Sequence, residues 1–317
     1  MSRGNRIKSP KLEISLLREG LKESTHLAEA VVCDTKGRVL SVAGDGESSA
    51  FIRSALKPFQ ALAVVGTGSI EHYKLTDKDL AVICSSHKGT KEHARQVFRI
   101  LWQADLESQV LQCPIPHGKD SALEHNCSGK HAGMLLTCKH CNWSLSSYME
   151  KNHPVQELIL NKVAELLKMP PQEFIAAKDD CGVPTYLMQL RQMATLYAHL
   201  ASGDRLDVER VVRAMTYHPT MVAGKGGFDT ELMRLSEGEI VSKSGAEGIQ
   251  CIGRVGEGLG LAIKVQDGAK RAKYAVALYL LTRLGWISPA VSDTLSEQFL
   301  SLSPYKRLDV VGELALV

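Results

Sequence analysis

AEAVVCDTKGRVLSV, residues 28–42, holds the reading that decides the fold. Two short apolar runs, Ala28 to Cys33 and Arg38 to Val42, flank Asp34-Thr35-Lys36-Gly37, a turn with glycine where positive φ is wanted. The stretch predicts a β-hairpin. A second strand region lies far downstream: Glu239 to Lys243, Gly248 to Arg254 and Gly260 to Val265, ending at Asp267-Gly268, with glycines suited to tight antiparallel turns. An apolar helix from about Ala269 to Leu284 then closes at Gly285.

Between these regions the period becomes helical, from about Thr90 to Met215. Thr90 suits the N-cap of a helix with Val97, Ile100, Leu101 and Ala104 on one face. Pro154 opens another, with Val155, Ile159, Val163, Leu166 and Leu167 inward and Pro170-Pro171 as its stop. Pro184 reads as the start of a third, carrying Leu187, Leu190, Ala194 and Tyr197, and Asp207 as the cap of a fourth. Leu80 to Ile83 suits a strand or a buried helix. A hairpin and a meander separated by helices share one sheet only if the helices are an excursion. The expected fold class is therefore α+β, an antiparallel sheet with flanking helices plus an inserted helical lobe. One two-lobed domain is expected over 1–317, its sheet lobe about 12–89 and 236–317 and its helical lobe about 90–235.

At 317 residues the chain can bury a sizeable core, and 44% apolar with 23% charged residues is an ordinary globular balance. A net charge of +3 with dispersed basic residues excludes a nucleic-acid surface. The first twenty residues contain Lys8, Lys11, Glu13, Arg18 and Glu19 and no apolar run of leader length, and no segment approaches the ~20 apolar residues of a membrane span. A cytoplasmic protein is expected, so its eight cysteines read as thiols, metal ligands or redox groups before disulfides.

Chemistry enters at Arg53-Ser54-Ala55-Leu56-Lys57-Pro58, followed by an apolar run to Gly66. Residues three apart on a helix share a face, so Lys57 can reach the Ser54 hydroxyl. The same Ser-x-x-Lys spacing recurs at Ser85 to Lys88 and Ser303 to Lys306, so the spacing alone says little. Pro58 places Ser54 at a helix start, where the dipole favours developing negative charge. To act as a base, Lys57 must fall from roughly 10.4 toward neutrality, a cost of about 4 kcal/mol met by burial and neighbouring cations. Downstream, Lys243-Ser244-Gly245 completes the Ser-x-x-Lys and Lys-Ser/Thr-Gly combination of serine β-lactamases and penicillin-binding proteins.

Asn126-Cys127-Ser128-Gly129-Lys130-His131 begins a further helix, with Cys127 and Lys130 on one face. Cys181 lies near the expected Pro184 helix start, where a thiolate is favoured. From the residues alone, Cys127 and Cys181 suit zinc ligation or inert packing equally, and a lysine ligand would have to be neutral. Cys138-Lys139-His140-Cys141 reads as a surface helix end, and Cys33, Cys84, Cys113 and Cys251 as core thiols. Ala223-Gly224-Lys225-Gly226-Gly227 lacks the phosphate-loop pattern and reads as a loop or lid after His218-Pro219. Gly256-x-Gly258-x-Gly260 leads into a strand, so it is turn chemistry. Cys84-Ser85-Ser86-His87 either lines a cleft or caps a helix.

Taken together these blocks, with Glu23 to His26, Asp179 to Thr185, His218 to Gly224 and Gly258 to Gly268, resemble the bacterial L-asparaginases of the serine- and zinc-dependent class. The resemblance covers most of the chain. It implies a β-lactamase-like fold, a Ser54–Lys57 pair, a Ser86–Lys243 pair, and Zn2+ held by Cys127, Lys130 and Cys181. It also implies L-asparagine as substrate, with Arg53, Asn126 and Lys130 as candidate binding groups, and a homodimer. Cys138, Cys141 and Lys88 fall outside the family pattern. Two rival readings share parts of it: a penicillin-recognising serine hydrolase or peptidase, and a non-enzymatic metal or thiol sensor.

Overall fold

The computed structural model describes residues 8–317, so the first seven of the twenty residues read for a leader lie outside the described residues. Twelve strands occur among the described residues: β1 Leu12–Arg18, β2 Leu21–Asp34, β3 Val39–Ala43, β4 Ser49–Phe51, β5 Ile175–Lys178, β6 Pro184–Gln189, β7 Ile240–Ser244, β8 Ile249–Arg254, β9 Leu259–Val265, β10 Ser301–Ser303, β11 Lys306–Val311 and β12 Ala315–Leu316. No helix among the described residues is long and apolar enough to cross a membrane. The chain divides into two compact units. One comprises the chain up to Ala55, Leu187–Gly203 and Glu231–Val317; the other comprises Leu56–Tyr186 and Asp204–Thr230.

The first unit is built on an antiparallel sheet in the order β10-β11-β1-β2-β9-β8-β7, with β3 on β2 and β12 on β3. The hairpin reading holds: β2 and β3 pair from Ala30 opposite Ala43, and Gly37 takes φ +75° in the turn. At fourteen residues, β2 is long enough to serve three partners. Its early part pairs with β1 and its later part with both β3 and β9. The expected meander is β7-β8-β9, turned through Gly256 and Gly258 at positive φ.

Two cross-strand glycines decide what covers this sheet. Gly253 and Gly260 sit opposite each other on β8 and β9. A Cβ at Gly260 would lie 2.0 Å from the Ala194 carbonyl oxygen, and one at Gly253 2.8 Å from that of Tyr197. Only glycine lets the helix Leu190–Leu200 come this close. Tyr197 on that helix donates its phenol to the Ala55 carbonyl at 2.9 Å. The second covering helix, Lys270–Arg283, packs against β1, β9 and β11, as its apolar sequence requires.

Helices dominate the second unit. Leu80 to Ile83 belongs to the helix Asp77–Ile83, fixed by a capping box in which Thr76 and Asp79 bond each other's backbone amides. Thr90 caps Lys91–Gln103 as expected. Pro154 opens Pro154–Leu167, which ends on Lys168 at positive φ just before the prolines. The helix Ser128–His140 crosses the end of Asp77–Ile83 through two glycines one turn apart. A Cβ at Gly129 would meet the Val82 carbonyl oxygen at 1.9 Å, and one at Gly133 would meet Ile83 at 2.9 Å.

Several expectations need correction. Pro184 starts the strand β6; the helix begins at Leu190, where Gln189 and Gln192 form a capping box. Leu187 therefore pairs across a sheet, opposite Phe51, instead of riding a helical stripe. Cys181 accordingly lies in the turn between β5 and β6, not at a helix start. Arg205 precedes the helix Leu206–Tyr217, and Asp207 sits inside its first turn, bonded to Arg205. Residues 224–227 do form a loop, between the helices Pro219–Ala223 and Phe228–Leu235, but it is anchored, since Lys88 donates to the Lys225 carbonyl at 2.7 Å. Residues after Pro304, which carry no motif, form β11 and pair with β1 along six positions. Residues 56–89 pack within the second unit, and Leu190–Leu200 within the first.

Candidate active site

The glycine crossing just described brings the segment after Ile83 against the start of Ser128–His140, and Lys57 enters between them. Lys57 is fully buried. Its Nζ donates to the Ser86 hydroxyl at 3.0 Å, to the Ser85 carbonyl, and at 3.4 Å to the Asn126 carbonyl. Burial pushes the amine down from its ordinary value, and the Lys130 charge pushes the same way against the opposing Cys127 and Cys181 thiols. Ser86 is held at its backbone, where its N–H donates to the Val222 carbonyl at 2.8 Å. His87, the next residue, receives the Gly89 N–H on Nδ1 and faces Ser128 Oγ through Nε2 at 2.9 Å. Its pKa is pushed down to about 3 by burial, so the ring is neutral.

Cys127 and Cys181 form the second half of the cluster, and they behave as a coupled pair. A hydrogen bond from Cys181 lowers Cys127 well below the thiol range against the cost of burial, with Lys57, Lys130 and His125 adding to the effect. Cys181 is pushed up by that neighbour and by burial. The hydrogen bond between them favours the thiolate at Cys127 and the thiol at Cys181. Lys130, 2% exposed, is disfavoured as a cation by burial, but Cys127, Cys181 and Asp179 together outweigh this and raise it. Asp179 Oδ2 lies 3.4 Å from Lys130 Nζ and 3.9 Å from Cys181 Sγ. This carboxylate was missed in the sequence because its role follows from the tight β5–β6 turn, which the helix expectation hid. His131 Nε2, one residue beyond Lys130, is buried without a hydrogen-bond partner among the described residues.

Among the described residues no group of three His, Cys, Asp or Glu side chains could hold a metal ion. The donors that do converge are the Cys127–Cys181 pair and the Lys130 amine. They suit a thiophilic dication on chemical grounds, because a thiolate is already favoured and the other two donors need only lose a proton on binding.

The second unit thus brings together Lys57, Ser86, Asn126, Cys127, Lys130 and Cys181. In the first unit, Arg53 and Ser54 lie on the 3₁₀ turn Arg53–Leu56, with Arg53 at φ +53°. That is a costly conformation for arginine and clusters at functional sites. Lys243 is fully buried on β7 and donates to the Ser244 carbonyl at 2.8 Å. Gln250 ties Ser242 to Ser244 from the neighbouring strand, and buried Lys273 donates to the Gly245 carbonyl at 2.7 Å. The hydroxyl partner of Lys57 recorded here, Ser86, is one the spacing argument did not suggest.

At the other end of Ser128–His140, Cys138 is fully buried and Cys141 half-buried. Cys33, Cys84, Cys113 and Cys251 are buried, as expected of core thiols.

An α+β frame that spends buried lysines, a serine and a thiol pair on one point is the frame of an enzyme. The L-asparaginase II family model matches residues 14–316, and the chain belongs to that family. No curated protein matches the chain. Among solved structures, Mglu in its native form is similar at 14% identity and a TM-score of 0.50, over 82% of this chain and 64% of that one. The chain thus spans just under two thirds of Mglu. A putative β-lactamase from Bacteroides dorei is 14% identical over 92% of this chain and 93% of its own, with a TM-score of 0.41. A β-lactamase from Mycobacterium bovis is 14% identical over 86% and 95%, with a TM-score of 0.38.

Proposed function

We propose that this protein converts L-asparagine to L-aspartate and ammonia through a serine nucleophile activated by lysine, as a member of the serine- and zinc-dependent class. The observation that carries the reading is Lys57: a buried amine, pushed toward its neutral form, in hydrogen-bond contact with a serine hydroxyl. A neutral amine there can accept a hydroxyl proton, which is what a serine nucleophile requires. The 3₁₀ turn at Ser54 runs without a break into the helix Lys57–Val65, so Ser54 and Lys57 are also one turn apart along the chain.

In the proposed reaction Ser54 Oγ attacks the side-chain amide carbon of asparagine while its proton passes to Lys57. Backbone N–H groups at the helix start stabilise the oxyanion. The tetrahedral adduct collapses, the C–N bond breaks, and the departing nitrogen takes a proton from lysine to leave as ammonia. Water then cleaves the aspartyl ester. Ser86 and Lys243 complete the proton relay, and Arg53 with the Asn126–Lys130 segment holds the ends of the substrate. Cys127, Lys130 and Cys181 would hold zinc, which supplies a fixed positive charge for positioning the substrate. Cytoplasmic residence and a homodimer complete the reading.

Ammonia release from L-asparagine and L-glutamine, measured with wild type, Ser54→Ala and Ser86→Ala, tests it. Release that either substitution cuts by about a thousandfold is expected. Hydrolysis of a chromogenic β-lactam with neither amide touched would instead favour the penicillin-recognising reading. Undiminished release in both variants would sink the serine mechanism.

A further inference from the structure

A second concavity, of about 630 Å³, lies wholly within the helical unit and includes none of the residues assigned above. Its wall combines Lys151 and Asn152 ahead of the helix Pro154–Leu167, Glu157 and Asn161 one turn apart on that helix, Phe174 just ahead of β5, and Tyr186 on β6. A cation, a carboxylate and three carboxamides, Gln172 among them, therefore line one space. Among the described residues none of these five exposed side chains makes a hydrogen bond or ion pair with the protein. Tyr186 is only 3% exposed, lines the cavity, and has no protein hydrogen bond for its phenol; its ring meets that of Phe174 edge-on at 5.9 Å. The small exposed area leaves its hydroxyl open to the cavity, where it can bond to whatever fills it.

We propose that the cavity is a second binding site for a small α-amino acid with a polar side chain. Lys151 answers the α-carboxylate and Glu157 the α-ammonium. Asn152 and Asn161 answer a carboxamide or carboxylate side chain, and the Tyr186 phenol supplies a further donor. The cavity neighbours, along the chain, the cluster described above. Strands β5 and β6, which supply Phe174's neighbour Ala176 and Tyr186, flank the turn that carries Asp179 and Cys181.

Equilibrium dialysis of the full chain tests this, with L-aspartate, L-asparagine, L-glutamate and L-glutamine as probes in a Ser54→Ala/Ser86→Ala background that prevents turnover. For at least one of the four, that protein binds about two molecules per chain, and adding Lys151→Ala with Glu157→Gln reduces the number to about one. The same pair of substitutions in the active enzyme leaves ammonia release within about twofold. Both positions are exposed, so a thermal melt checks that the fold is kept. Equal binding with and without the two substitutions, for every probe, overturns the proposal. Failure of the asparaginase reading would show separately, as absence of ammonia release from the wild-type enzyme.

Discussion

The two ends of the helix Ser128–His140 each carry cysteine, and they could hardly differ more. At its start, Cys127 is drawn well below the ordinary thiol range by Cys181, Lys57 and Lys130. At its end, burial with Cys141 beside it pushes Cys138 up to about 12, and burial raises Cys141 as well. Solvent exclusion is shared by both buried thiols; the difference is the hydrogen bond from Cys181, with the neighbouring lysines adding to it. Burial alone holds a thiol protonated, and the same burial beside a hydrogen-bonding thiol and two lysines favours its thiolate. The Cys-x-x-Cys spacing at residues 138–141 looks more like a metal motif than Cys127 and Cys181 do, yet the structure puts the cations at the other end.

The contrast can be broken most sharply by removing the buried lysine beside Cys127. Lys57→Met keeps the volume and deletes the amine, and ammonia release from L-asparagine should fall about a thousandfold with the melting profile nearly unchanged. Activity within tenfold of wild type would show that Lys57 is a packing residue. Next in size is the metal: Cys127→Ser should take zinc content, measured by atomic absorption, from about one per chain to near zero, while Cys138→Ser retains it. Equal loss in both would erase the difference between the two ends. Gly129→Ala sharpens the geometric side, since its Cβ would press on a backbone carbonyl, and a loss of about 3 kcal/mol in urea unfolding is expected.

The smallest effect is at the inert end. Cys138 titrates higher folded than unfolded, so its contribution is fully present below the unfolded thiol value near pH 9 and is lost as pH rises toward 12. Between pH 8 and pH 10.5 wild type should lose about 2 kcal/mol more than Cys138→Ala. Parallel curves would mean the thiol is solvated.

Much of this was readable from the chain. The β2–β3 hairpin and the β7–β9 meander declare themselves through apolar runs broken by glycines with positive φ, which are local signals. Strand β11 does not, because its partner β1 lies almost three hundred residues away and nothing within Lys306–Val311 names it. The Pro184 misreading has a specific cause. Leu187, Leu190, Ala194 and Tyr197 keep helical spacing by coincidence across a strand-to-helix junction, and the capping glutamines at 189 and 192 mark the true start. In the site, Lys57, Ser86, Cys127 and Cys181 were accessible as reactive types in motif settings. Asp179 and the Lys57–Ser86 contact depend on how a turn and a glycine crossing fold in space, which no local pattern encodes.

The facing glycines on β8 and β9 act as a keyway. Leu190–Leu200 has one seat on the sheet, because only there are two adjacent side chains missing. Whatever fixes that seat also fixes the Tyr197 phenol, and through it the Ala55 carbonyl, one residue past Ser54. A one-residue slip of either strand would therefore unlatch the turn that carries Ser54 from nearly the far side of the sequence, making these two silent backbone positions as consequential for Ser54 as any residue that touches it.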